Sequence, residues 1–251
     1  MGVGEVIVGT CGFSASREKI YSHLDAVEIQ RTFYDPRPPE SFGKYRAEAP
    51  EGFRFTVKAW MLVTHGYNKR LWKRLKSPPP GHPSVYKPFA DVREVWEAWK
   101  ITIEAAEAIG AEAIVLQTPA SFNPIEENVE RLENFLSKAD RRGFAIVWEP
   151  RGEWWNPENL ELLDRISRDY QVSIAGDFLR GRLPTEHSIV AYARLHGLGG
   201  VEVNYKYRYT DEDLKRLKTI ILNLKQRPVY VMFNNVYSYY DAVRFKRLLE
   251  T

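Results

Sequence analysis

Phe144 to Trp155, FAIVWEPRGEWW, places a carboxylate, a guanidinium and two indoles directly behind an apolar run. A carboxylate can take up a proton and a guanidinium can hold an anion, so Glu149 and Arg151 are the first candidates for chemistry. Ala145 to Trp148 is short and mostly apolar, follows Gly143 and stops at Pro150, which reads as a strand buried on both faces with Glu149 as its last residue. Ligands of parallel sheets flanked by helices are met at the carboxyl ends of the strands. The alternative is that Glu149 and Arg151 pair with each other or with neighbours and fix the loop. Trp154 and Trp155 beside Asn156-Pro157 could likewise anchor the loop ahead of the next helix. Two adjacent indoles do not both reach a core easily, so one is expected to line a cleft.

Comparable tips recur along the chain. Strand patterns run from Glu5 to Thr10, Ala26 to Gln30 with Glu28 and Gln30 on one face, and Phe53 to Ala59 with Lys58 near its end. Further ones run from Ala113 to Thr118 with Gln117, Gln171 to Asp177, Ile189 to Leu195 with Arg194 before its end and His196 after, and Val229 to Phe233 followed by Asn234 and Asn235. Helical patterns separate them: Ala15 to His23, Pro38 to Glu48, Asp91 to Ile109, a helix opened by Asn123-Pro124 that runs to about Arg142, Pro157 to Tyr170, Asp211 to Gln226, and one from Ser238. Eight strands alternating with helices and no hairpin signal predict an α/β fold, a single (β/α)8 TIM-type barrel domain over residues 1–251 with a long loop after strand 3. A doubly wound open sheet is the alternative. The glycine-rich dinucleotide fingerprint and the phosphate-loop motif are both absent, as are internal repeats.

The 251 residues, 44% hydrophobic, suffice for one large core. With 36 basic and 33 acidic side chains the net charge is only +3, so a nucleic-acid footprint has to be local. Cys11 is the single cysteine, which excludes an internal disulfide and a cysteine-rich zinc motif. No signal region and no long apolar run is present, so the expectation is a cytoplasmic protein with no membrane partner. Abundant charge and few methionines are compatible with a thermophilic source.

Between Trp60 and about Ala90 lies the longest irregular segment, a candidate lid or partner loop. Within it Lys69, Arg70, Lys73, Arg74 and Lys76 surround Trp72. This is either a solvated helical turn or a phosphate contact for a nucleic-acid partner, to which the Tyr205 to Tyr209 loop would add stacking.

If the barrel closes, Glu28, Gln30, Lys58, His65, Gln117, Glu149, Arg151, Asp177, Arg194, His196, Asn234 and Asn235 converge on one face. At this point the chain resembles, nearly end to end, the YecE-like family known as domain of unknown function 72. The resemblance rests on GTCGF at Gly9 to Phe13, EIQRTFY at Glu28 to Tyr34, Lys58 with Thr64 and His65, and Gln117 with Pro119 and Phe122. It continues through Glu149, Arg151 and Trp154, Tyr192 to Gly197, the tyrosines before Asp211, and YVMFNN at Tyr230 to Asn235. Gln30, Gly152 and Tyr240-Asp241-Ala242 depart from the family pattern of Asn, His and Gly-Asp-Ala. The resemblance implies a TIM-type barrel and a shared strand-end site rather than a particular reaction.

Three functions are open. The first is an acid/base enzyme for a small polar or anionic, sugar- or nucleotide-like ligand: Arg151, Arg194 and Lys58 hold an oxygen, Glu149 or Asp177 is the base, and His65 or His196 transfers protons. In it Glu28, Gln30, Gln117, Asn234 and Asn235 orient hydroxyls, and Tyr34, Trp60 and Trp154 stack on a ring. The second, less favoured because Arg151 and Arg194 compete for the acids, is a divalent-metal hydrolase or isomerase using Glu149, Asp177 and His196. The third is a non-catalytic nucleic-acid-binding protein using Lys69, Arg70, Lys73 and Arg74. Cofactor and oligomeric state are not legible.

Overall fold

The computed structural model describes residues 5–200, 202–226 and 228–251. Eight parallel strands close a barrel in sequence order: β1 (Val6–Cys11), β2 (Ala26–Ile29), β3 (Arg54–Lys58), β4 (Ala113–Gln117), β5 (Ala145–Glu149), β6 (Ser173–Gly176), β7 (Ala191–Leu195) and β8 (Val229–Phe233). Ten α-helices accompany them among the described residues: α1 (Arg17–His23), α2 (Arg31–Tyr34), α3 (Gly43–Glu48), α4 (Met61–Thr64), α5 (Lys69–Trp72), α6 (Arg93–Ile109), α7 (Glu126–Lys138), α8 (Leu160–Tyr170), α9 (Asp211–Leu222) and α10 (Ser238–Glu250).

The apolar side chains fall into two sets, as the alternation of a strand requires. Ile7, Ala26, Val115, Val147, Ala175, Tyr192, Tyr230 and Met232 fill the barrel, whereas Val8, Phe55, Ile114, Ile146, Trp148 and Val231 face the helices. Small residues make room for the large ones: a side chain on Gly9 would stand 2.4 Å from the Ala26 carbonyl oxygen and 3.0 Å from Met232 Cε. On the outer layer, α6 buries Val95, Trp99, Ile103, Ala106 and Ile109 and ends at Gly110, whose φ of 64° is the left-handed cap expected of glycine.

Several boundaries differ from the sequence reading. The segment 60–90 is irregular over most of its length, as expected, but is interrupted by short helical turns at Met61–Thr64, Lys69–Trp72 and Pro83–Val85. Its first turn, α4, is wholly buried, and the Val63 carbonyl accepts the Phe89 amide at 2.8 Å, which ties the far end of the segment down. Gln30 lies beyond β2 and starts the short α2. The helix expected from Asn123-Pro124 starts at Glu126, because Asn123 instead accepts from the Asn128 side chain, and it stops at Lys138 before the turn at Arg142 and Gly143. The helix after β7 stops at Leu222 rather than Gln226.

Candidate functional site

Counting inward by twos along each strand leads to the polar floor of the barrel mouth: Cys11, Glu28, Lys58, Gln117, Glu149, Arg194, His196 and Asn234 continue the inward-facing series. Strand register does the rest, setting Cys11 beside Glu28 and Gln117 beside Glu149.

Arg194, 1% exposed, is the beam across this floor. Its Nε and Nη2 donate to the two Glu28 oxygens at 3.0 and 2.7 Å, and its Nη1 donates to Glu149 Oε2. Tyr192 Oη also donates to Glu28, at 3.0 Å, and Gln30 Nε2 bonds the other Glu28 oxygen. Glu149 Oε1 accepts from Arg151 Nη2 at 3.0 Å and lies 2.8 Å from His196 Nε2. Burial alone would raise the Glu149 carboxyl, but Arg151, Arg194 and His196 outweigh it and hold the group well below the usual range. Burial draws His196 down to about 4 against the pull of Glu149, so the imidazole is neutral near pH 7. Its Nε2 can donate to Glu149 or accept from Arg151 Nη2 at 3.0 Å, and Nδ1 meets the Asn234 amide at 3.1 Å. Burial, then Glu28, push the Cys11 thiol up, which keeps it protonated and a poor nucleophile.

Beside this saturated network stand groups with capacity left. Lys58 Nζ donates to Gln117 Oε1 at 2.8 Å and lies 3.8 Å over the Phe33 ring, with no carboxylate partner among the described residues. Burial, followed by Arg194, lowers this amine to about 7. His65 packs edge-on against the same Phe33 ring at 4.8 Å, and its Nδ1 meets Thr64 Oγ1 at 2.8 Å, which leaves Nε2 without a hydrogen-bond partner among the described residues. Burial, then Lys58, draw it to about 3. Arg151 Nε is buried and makes no hydrogen bond. Tyr205, half exposed, meets the His196 ring edge-on, with the ring centroids 6.1 Å apart.

Other expected site residues are placed differently. Trp154 does not line a cleft: it is fully enclosed, edge-on to Trp148 at 4.8 Å and stacked on Phe122, with Nε1 bonded to the Phe122 carbonyl. Its neighbour Trp155 is the partly exposed indole, with Arg182 over the ring at 5.8 Å. Trp60 is buried and donates to the Tyr34 carbonyl at 3.0 Å, so it offers no free face; Arg37 covers it at 4.9 Å. Tyr34 is covered by Arg74 at 4.0 Å. Asn235 turns away to the Tyr207 carbonyl and Asp241, both at 2.8 Å. Arg194 has no edge left for a ligand. Asp177 accepts the backbone amides of His196 and Leu179, each at 3.1 Å, and burial raises it to about 6 despite those bonds. It fixes the start of the loop rather than facing the floor.

The donor set therefore does not fit the Glu149, Asp177 and His196 metal site. Both Glu149 oxygens are engaged by guanidinium groups and both Asp177 oxygens by amides, and no cluster of three potential ligands exists among the described residues. In the basic stretch, Lys69, Arg70 and Lys73 are exposed, whereas Trp72 is held edge-on between Tyr67 at 4.8 Å and Tyr86 at 5.1 Å. The sequence reading named Phe33, Thr64 and Tyr192 only within the family pattern and gave them no role in the site. Tyr192 was detectable by parity, two residues before Arg194. No helix among the described residues is long and apolar enough to cross a membrane.

The UPF0759 protein YunF of Bacillus subtilis strain 168 is 27% identical over 263 residues, spanning 94% of this chain and 87% of its own. A DUF72 family protein from Enterococcus faecalis V583 superposes with a TM-score of 0.76 at 20% identity, over 99% of this chain and 98% of that one. A DUF72 family protein from Thermotoga maritima MSB8 gives 0.68 at 25% identity, over 98% and 100%. The model of the family described as protein of unknown function DUF72 matches residues 15–251, and the chain belongs to that family.

Proposed function

We propose that the protein is an acid/base enzyme acting on a small polar or anionic ligand at the barrel mouth, with Lys58 as the proton-transfer group. The observation that carries this reading is the Lys58 amine, enclosed at a strand end with a single hydrogen bond and no counter-ion among the described residues, and drawn to about 7 by burial and Arg194. An amine of that affinity exchanges protons in both directions near neutral pH, the condition under which general acid/base catalysis is most effective. The floor beneath it is rigid, since Arg194 locks Glu28 and Glu149 together, and such preorganisation limits reorganisation during reaction. His65 Nε2 and the Asn234 amide are the remaining polar groups for orienting a ligand's hydroxyl or carbonyl oxygens.

The test is proton exchange in D2O, with hydroxy acids, keto acids, sugars and sugar phosphates followed by NMR. Wild-type protein should label at least one compound at carbon, with a rate profile inflecting near pH 7, and Lys58→Met should lower that rate about 100-fold or more. Labelling that survives Lys58→Met, or no labelling of any compound, would refute the assignment.

A further inference from the structure

With Lys58 protonated, the charges on the floor do not balance. Glu28 and Glu149 face Arg194, Arg151 and Lys58, and both acids are committed: Glu28 to Arg194, Glu149 to Arg194 and Arg151. His196 and His65 are neutral near pH 7 and contribute no charge. Lys58 is left with an amide and an aromatic face, 8% exposed, and feels Arg194 and Arg151 as neighbours of like sign. Among the described residues Arg151 bonds through Nη2 alone, while Nε is buried without a partner. A guanidinium with free donors and a primary amine with free donors thus share a mouth that lacks one negative charge. Buried cations without partners are costly, so a ligand that supplies the missing charge gains from both.

We infer that this mouth takes the carboxylate of a small organic acid, held by the unpartnered donors of Arg151 and by the Lys58 amine. The inference rests on the acid/base reading of the same site and names its substrate class. A single charge suits the imbalance, whereas a doubly charged phosphate would leave an excess of negative charge against Glu149 and Glu28. The bound carboxylate also fixes the state of Lys58. In the complex the amine is an ammonium and acts as the acid, so the partner that accepts a proton is a group other than Lys58. The groups that face Lys58 are Arg194, Glu28, Glu149, Arg151 and His65, and the first four already balance one another.

Binding must therefore take up a proton from solvent above neutrality. The experiment is titration calorimetry of the full chain in buffers of different ionisation enthalpy, at pH 8 and pH 5.5, using glycolate, lactate and longer monocarboxylic acids, with sulfate and glucose as contrasts. None of these probes titrates in that range, so any proton exchanged belongs to the protein. Carboxylates are expected to bind with uptake approaching about one proton at pH 8 and about none at pH 5.5, where Lys58 is already charged. Lys58→Met should abolish the uptake and weaken binding about tenfold. Carboxylate binding without proton uptake, tighter binding of sulfate, or no carboxylate binding at all would overturn the inference. Glucose binding alone would do so while leaving the acid/base reading standing. Proton-linked carboxylate binding with no exchange at carbon would instead remove the enzyme and keep the site.

Discussion

Two buried cations on the same floor have opposite effects on stability, and the difference lies in their partners. Arg194 satisfies two carboxylates at once, so Arg194→Met leaves both buried and uncompensated. The expected loss is about 3–5 kcal/mol, read as a lowered urea midpoint. Lys58 has no counter-ion among the described residues, so Lys58→Met at pH 6 should raise stability by about 1–2 kcal/mol. The sign follows from linkage: the folded lysine binds its proton less tightly than the unfolded one, about 7 against 10.5. Its penalty is therefore full below pH 7 and fades as pH rises toward the unfolded value, so the gain from Lys58→Met should shrink by pH 10. A wild-type protein more stable than Lys58→Met at pH 6 would show that the amine has a partner in solution. The residue types of this floor were legible in the sequence. Which of them hold each other and which remain open was not, because Arg194 meets Glu28 across 166 residues and Glu149 across 45.

At the scale of elements, strands were the legible part. β1, β4, β5 and β8 are apolar runs because both faces are buried, and the parity of β2, β3, β4, β5 and β7 leads to Glu28, Lys58, Gln117, Glu149 and Arg194 at the inward tips. Loops were harder. Trp154 follows a catalytic-looking Glu-x-Arg, yet the short helical turn at Gly152–Trp155 rotates it outward onto Trp148 and Phe122, between the barrel and the helices. Trp154→Ala is expected to cost about 3–5 kcal/mol, seen as a lowered melting temperature. Residual folded protein should bind carboxylates with unchanged affinity, whereas a ligand-stacking indole would lose both. The segment 60–90 carried turn-forming prolines and a run of charges, which hid α4; a four-residue buried turn is too short to produce a helical period.

For the whole molecule, alternation pointed to a barrel but left a doubly wound open sheet as the alternative, and the structure closes β1 on β8 through five paired positions from Val6 to Thr10. The buried charges give this barrel a pH signature. Glu149 holds its proton less tightly folded than unfolded, so its contribution is present above about 4.5 and is lost as pH falls through its folded value. Asp177 has the reverse sign, its penalty growing as pH rises from 3.8 to about 6. Glu149→Gln should thus flatten the acid limb of the stability curve in urea titrations, while a limb as steep as wild type would place acid sensitivity elsewhere. The interior beneath the floor is solid. Tyr192 and Tyr230 stack at 5.3 Å, and Tyr230 reaches Glu112 at the amino-terminal ends of the strands. A barrel stoppered in this way has one door. Whatever rests on the floor must leave by the route its successor needs, so product should compete with substrate for the free protein, and turnover at high product concentration should be governed by clearance of the mouth.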